Sequence, residues 1–297
     1  TGEDTLSLHD ALPILIGFSR NQLQINSGSL APLGLNGPSS NYYGGLEWKF
    51  LNTPDLKITA NLLAVYETSR LDSTQGTFSN DRVSVLSSTV VANRTDKAFK
   101  GVDVVELGVR KSLSDRSLEA LTVSNDRQFL IGTLAYTRLQ FLTKTQRLII
   151  KARGQYTNDA VIAIEQVAIG GPESVRAYPI VDALSDRGVY SALEYHVDAP
   201  GFADVISPFY GRPWRELLEF EVFGDFARAG AAGQHRGNGA NTFTRSGVGG
   251  GVIFRLPRFY QMQLHLSGAA QLSDAKGSDD PANDDSRDKK YHVYGQI

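Results

Sequence analysis

YQMQLHLSGAAQL, residues 260–272, decides the fold class. One face of the stretch reads Tyr260, Met262, Leu264, Leu266, Gly268, Ala270 and Leu272; the other reads Gln261, Gln263, His265, Ser267, Ala269 and Gln271. A helix would scatter these residues around its circumference, whereas a strand sorts them onto an apolar and a polar face. The same sorting recurs along the chain. Leu148, Ile150, Ala152, Gly154 and Tyr156 alternate with Arg147, Ile149, Lys151, Arg153 and Gln155. Val189, Ser191, Leu193, Tyr195 and Val197 alternate with Tyr190, Ala192, Glu194 and His196, and Leu218, Phe220, Val222, Gly224 and Phe226 with Glu219, Glu221, Phe223 and Asp225. Val248, Val252, Phe254 and Leu256 alternate with Gly249, Gly251 and Arg255.

Further strands are expected over 40–51, 56–69, 82–94, 101–112, 128–142 and 289–297, with a weaker one over 15–26. The total is about twelve, most of them roughly 10–15 residues long, the length a tilted strand needs to cross an apolar band of ~25 Å. Soluble strands average only ~5–6 residues. Links also alternate. Short ones fall at Leu51–Asp55, Thr143–Gln146 and Pro257–Arg258, and longer polar ones at 70–81, 113–127, 158–187, 229–241 and 273–288. Outer-membrane barrels have short turns at one end and long loops at the other. Residues 199–215 break the rule, being long in a short-turn slot. Periodicity does not say which face is inside, so a soluble β-sandwich or lipocalin-like barrel stays open here. The polar faces hold Gly, Gln, Glu, His and Arg with few Lys, which suits a wet lumen.

Composition narrows the function classes. The 297 residues carry 30 Lys+Arg against 32 Asp+Glu, a net charge of −2, so the chain has no global field to hold nucleic acid. It has no Cys, which removes disulfide scaffolds, zinc knuckles and cysteine nucleophiles. No apolar run is long enough for a transmembrane helix, and the opening TGEDTLSLHDALPI has neither the basic nor the apolar region of a signal peptide. The histidines at 9, 196, 235, 265 and 292 have no metal-ligand spacing; His196, His265 and His292 are expected to face the lumen. No G-x-S-x-G or H-E-x-x-H motif is present. GVGGGV at 247–252 lacks the strand–turn–helix context of a phosphate loop and reads as a Gly-rich strand that another element approaches closely. The acidic run Asp274–Asp288 could attract calcium, but reads first as a solvated extracellular loop. No catalytic residue, metal or cofactor is expected.

The long link 158–187 contains Gly170-Gly171-Pro172-Glu173-Ser174-Val175-Arg176-Ala177-Tyr178-Pro179. Two glycines permit positive φ and two prolines fix φ, which predicts a rigid hairpin tip carrying one Arg beside an aromatic ring. GGPESVRAYP resembles the signature loop of the two-partner secretion transporters, the TpsB or ShlB/FhaC/HecB family of outer-membrane polypeptide-transporting barrels. Gly188 followed by Glu194-Tyr195 is similar to the family's next strand. Phe223-Gly224-Asp225-Phe226-Ala227 is similar to its Phe-x-Asp-x-Gly motif, with Ala227 in the place of the last Gly. LGLNGPSSNYYGGLEWKFLNTPDLKITANLLAVYE resembles its earlier strands, so the likeness runs over 15–297.

The resemblance implies an all-β transmembrane antiparallel barrel in the Gram-negative outer membrane, with a long loop folded into the lumen. The chain holds about twelve of roughly sixteen expected strands. The loop motif Gly170, Gly171, Pro172, Val175, Arg176, Ala177, Tyr178 and Pro179 is expected in the lumen, with Arg176 paired to Asp225 beside Phe223. Gly188, Glu194, Glu219 and Glu221 are expected to support it from the lumen wall; parity independently puts Asp225, Glu219 and Glu221 on one polar face. The implied partners are a secreted exoprotein of adhesin or haemolysin type and outer-membrane lipids, around a monomeric barrel with no nucleic acid. A barrel-assembly insertase of the same superfamily and a passive porin are the alternatives. Residues 1–14 read as an adapter-like, non-native leader, and 15–297 as the C-terminal part of the barrel, with POTRA domains and the first strands outside this sequence.

Overall fold

Alternation of side chains over long runs gives long strands that must pair to satisfy their backbone groups. The computed structural model describes residues 13–24, 34, 36–74, 76–115, 128–208, 210–233, 242–256, 262–272 and 291–296. Its strands are β1 (Ile14–Gln24), β2 (Asn36–Asn52), β3 (Leu56–Ser73), β4 (Gly76–Asp96), β5 (Gly101–Asp115), β6 (Leu130–Phe141), β7 (Gln146–Tyr156), β8 (Val167–Ile169), β9 (Ala183–Ser185), β10 (Arg187–Asp198), β11 (Leu218–Gly230), β12 (Thr242–Leu256), β13 (Met262–Gln271) and β14 (Tyr291–Gln296). Twelve of them form one antiparallel sheet in the order β1-β2-β3-β4-β5-β6-β7-β10-β11-β12-β13-β14, and β8 and β9 pair separately as a small hairpin. Each large-sheet strand lies beside its sequence neighbour, the up-and-down arrangement of a barrel wall, with β1 and β14 at the two edges.

The apolar faces point outward. Val189, Leu193, Val222 and Phe226 are exposed, while Tyr190, Ala192, Glu194 and His196 on β10 and Glu219, Glu221, Phe223 and Asp225 on β11 are buried. A water-soluble sandwich would bury the first set and expose the second. This inversion, with further outward residues such as Leu107, Leu134, Val248, Val252 and Leu266, gives an apolar outer face around a polar interior, the pattern of a transmembrane barrel wall. On the outward face of β6, the apolar row of Leu130 and Leu134 ends at Arg138, which pairs with Asp103 at 2.9 Å and Asp96 at 3.2 Å.

Several links differ from expectation. The stretch 70–81 is not a loop: Ser69 pairs with Asp81, Arg70 with Asn80 and Leu71 with Ser79, and the hairpin closes only at Ser73 and Gly76. Polar residues on both faces hide the alternation there. Arg70 donates to Asp72 at 3.0 Å, Ser73 Oγ donates to the Gly76 carbonyl, and Gly76 takes φ 128°. The strict alternation of short and long links therefore fails at β3–β4. Strand β5 runs on to Asp115 and β11 to Gly230, so the links 113–127 and 229–241 start later than expected. The anomalous link after β10 is ordered: Phe202 packs edge-on against Trp214 at 5.8 Å, and Ile206 bridges to Pro213. The short link at Pro257–Arg258, His9, His235, the acidic run 274–288 and residues 1–12 of the expected leader lie outside the described residues. Ile14 is already part of β1.

Candidate functional site

The link between β7 and β10 does not run over the outside of the sheet. It folds back across the polar face and fills it. Its stem buries Val161 and Ile162 with Val65 of β3, Val83 and Val85 of β4, and Ile131 of β6. Its tip buries Val175, Ala177 and Tyr178 with Tyr190 and Ala192 of β10, Phe223, Ala227 and Ala229 of β11, and Ala269 of β13. One segment thus touches strands from β3 to β13, and the sheet curves around it.

The tip is rigid for local reasons. Gly170 and Gly171 have φ of 100° and 95°, and a Cβ at Gly171 would lie 3.1 Å from Ile180. Side chains other than glycine rarely adopt such angles. The Gly171 amide donates to the Tyr178 carbonyl at 3.0 Å, Ser174 N to Gly171 O at 3.0 Å, and Tyr178 N to Val175 O at 3.1 Å. The β8–β9 pair continues the hairpin below it. Pro172 and Pro179 are half-buried at its shoulders, while Ser174 to Tyr178 are buried.

Within this frame Arg176 meets the wall. Its Nη2 donates to Asp225 Oδ1 at 2.7 Å, and its Nε and backbone N donate to Oδ2, each at 3.0 Å. Nη1 lies 2.9 Å from Glu194 Oε1, and the guanidinium sits 3.4 Å from the Phe223 ring centroid. Side-chain exposure is 7% for Arg176 and 0% for Asp225. A fork-to-carboxylate geometry with stacking is what Arg offers and Lys does not. Burial works against the charge, but the bonds and charge of Asp225, helped by Glu194, more than offset it, so the Arg176 pKa lies above its ordinary value.

Strand register sets the landing row. Ala192 pairs with Asp225, Asp225 with Gly247, and Gly247 with Gln271, which brings four strands to one level. The loop crosses this level: Gln271 Nε2 donates to the Ala177 carbonyl at 3.1 Å, and a Cβ at Gly247 would collide with Ala177 Cβ. The Gly-rich strand expected over 247–252 is therefore the place of close approach. On β14, Tyr294 Oη donates to the Tyr178 carbonyl at 2.7 Å. Ala227, in the place of the family's glycine, keeps regular pairing with Tyr190 and Arg245 and is buried.

The supporting residues share the polar face but not one role. Glu194 touches Arg176 directly and also Lys151 at 3.1 Å. Glu219 lies further along β11, bonded to His196 Nδ1, Arg147 and Arg255. Glu221 lies 2.8 Å from His265 Nε2. Glu219 and Glu221 do not touch the loop's Arg; they belong to a neighbouring charged belt. Gly188 follows the inward parity of Tyr190, and a Cβ there would lie 3.0 Å from Ala229 Cβ. His292 stacks on Tyr294, so all three described histidines face the interior.

Three anchors were not anticipated from sequence. Arg245 of β12 pairs with Asp182 at 3.0 Å, both buried. Asp186 accepts from Val161 N at 3.1 Å and Ala232 N at 2.7 Å, tying the loop's two ends to the next long link. Arg110 of β5 holds Glu165 of the stem at 2.6 Å. Arg245 shares the inward parity of Gly247 and Gly249, a signal available from alternation. Nothing local marks Asp186 or Glu165.

Fold and site together define a β-barrel wall, apolar outside and polar inside, with an arginine loop docked on its inner face. The profile of the family described as "Haemolysin secretion/activation protein ShlB/FhaC/HecB" matches residues 19–209. The chain belongs to that family, whose members are β-barrels of the Gram-negative outer membrane. Among solved structures it is similar to CdiB from Escherichia coli, with TM-score 0.64 and 12% identity over 95% of this chain and 49% of that one. It is also similar to CdiB from Acinetobacter baumannii, with TM-score 0.62 and 17% identity over 95% and 46%. The chain spans about half the length of these structures. No curated protein matches it.

Proposed function

We propose that the chain forms part of a pore that exports a large exoprotein of adhesin or haemolysin type across the outer membrane by two-partner secretion. The observation that supports this is the docked loop: an interior closed by a segment whose tip is held by reversible ionic and hydrogen bonds at Arg176, with no covalent tie. The exoprotein passes unfolded once the tip leaves Asp225 and Glu194, and its folding outside helps drive export. The work involves no covalent chemistry, no cofactor and no nucleotide. Arg176 and Asp225 act as the lock, Glu194 as its second acceptor, and Phe223 as the platform on which the guanidinium rests.

The test is secretion of the cognate exoprotein by the intact transporter carrying Arg176→Ala. The expected result is loss of secretion while the barrel remains inserted and heat-modifiable on a gel. Normal secretion overturns the reading. Misassembly of other barrels in place of a secretion defect transfers the function to the insertase class.

A further inference from the structure

Arg110 projects from β5 onto the polar face, on the side of the sheet away from Asp225. Its Nη2 lies 2.6 Å from Glu165 Oε1 and its Nε 3.0 Å from Glu165 Oε2, a bidentate grip on the loop's stem. The same Nη2 lies 2.9 Å from Glu67 Oε1 of β3. Both carboxylates are buried, at 7% side-chain exposure for Glu67 and 6% for Glu165. Gln155 Nε2 of β7 donates to the Glu165 carbonyl at 2.7 Å and to the Asp186 carbonyl at 3.0 Å, so the backbone at the same point is held as well. The apolar contacts of Val161 and Ile162 with β3, β4 and β6 surround this grip.

We propose that Arg110 is a positioning residue for the loop: a second lock, four strands along the sheet from the Arg176 lock, that keeps the stem in place when the tip lets go. The inference deepens the pore reading and rests on it for its role in export. The two locks share no side chain. Arg176 engages β10 and β11, and Arg110 engages β3 and the stem. With both closed, the loop is tied to β5 at its stem and to β10 and β11 at its tip. With the Arg176 lock open, the loop is a flap tethered at Glu165, and the tip swings clear without the stem leaving the interior. Glu67 is the dispensable member. It shares the guanidinium with Glu165, and among the described residues its Oε2 is buried with no hydrogen-bond partner.

The chain has no Cys, so single reporters are clean. Ser174→Cys reports on the tip and Val161→Cys on the stem; both native residues are buried. Each is made in the intact outer-membrane protein and labelled with a membrane-impermeant maleimide. Arg176→Ala should raise labelling at the tip reporter and leave the stem reporter protected. Arg110→Ala and Glu165→Ala should raise labelling at the stem reporter on the order of tenfold or more, the factor carried by one charge-assisted bond. Glu67→Gln should leave it unchanged. The swap Arg110→Glu with Glu165→Arg should restore protection, which separates a lost contact from a misfolded barrel. Two outcomes overturn the proposal: stem labelling that rises equally with Arg176→Ala, or stem protection that survives Arg110→Ala. Secretion is read on the same strains. Independent labelling with unchanged secretion in every variant keeps the two locks and removes the pore reading.

Discussion

Replacing Asp225 with Ala removes the acceptor for Arg176 Nη2 and Nε and for the Arg176 backbone amide. Stranding one partner of a buried pair costs about 3–5 kcal/mol. Glu194 still holds Nη1 at 2.9 Å and Phe223 still underlies the guanidinium, which puts the loss at the lower end, about 3 kcal/mol, or roughly a hundredfold in the ratio of undocked to docked tip. The measurement is hydrogen–deuterium exchange by mass spectrometry on peptides covering 170–179, where the amides of Gly171, Ser174 and Tyr178 close the tip. Exchange there should accelerate strongly in Asp225→Ala while peptides from β6 and β7 keep their protection. Arg176→Ala should accelerate it further, because Glu194 and Phe223 are lost together, and the double variant should add little to Arg176→Ala, as residues in one network are not additive. The swap Arg176→Asp with Asp225→Arg should recover part of the protection. An unchanged 170–179 peptide in Asp225→Ala, or a swap no better than either single change, would refute the lock.

Four further outcomes follow from the same geometry. Gly247→Ala places a Cβ against Ala177 and 3.0 Å from the Ala270 carbonyl. It should loosen the tip by about 1–3 kcal/mol, as overpacking does, and Ala177→Gly should suppress it in the exchange assay. Tyr294→Phe removes the 2.7 Å bond to the Tyr178 carbonyl and should cost about 1 kcal/mol, read as a several-fold faster exchange confined to the tip. Leu193→Arg on the exposed outer face should cost about 2–4 kcal/mol near the bilayer midplane and reduce the heat-modifiable folded fraction. Thr137→Lys, facing inward in the register Thr137 to Lys151, should leave that fraction largely intact; equal loss in both variants would contradict the assignment of faces.

Much of the wall was legible because a strand in a lipid-facing sheet must alternate over its whole length. Strands β10 and β11 follow the pattern almost residue by residue. Alternation is blind to which side is wet, and burial at Glu194 and Asp225 against exposure at Leu193 and Val222 decides it. It also fails beyond the apolar band, where neither face of β3–β4 needs to be apolar and Arg70, Asp72 and Asn80 read as loop. The tip was legible through residues with special backbone demands, Gly170, Gly171 and Pro172. The stem was not. Glu165 is an ordinary glutamate in sequence, and its partner Arg110 stands 55 residues away. Only the strand order brings β5 round to face it.

Strand β12 carries glycine at 247, 249, 250 and 251. Glycine has a poor preference for extended structure and offers no cross-strand side-chain pair. On the inner face the missing bulk is supplied from elsewhere, by Ala177 over Gly247 and the Phe223 ring over Gly249. The loop therefore completes the packing of β12 at Gly247, where Ala177 stands in for a side chain the strand lacks, while at Gly249 the neighbouring strand does the same through Phe223. The segment that crosses the interior is in this respect also part of the wall it crosses.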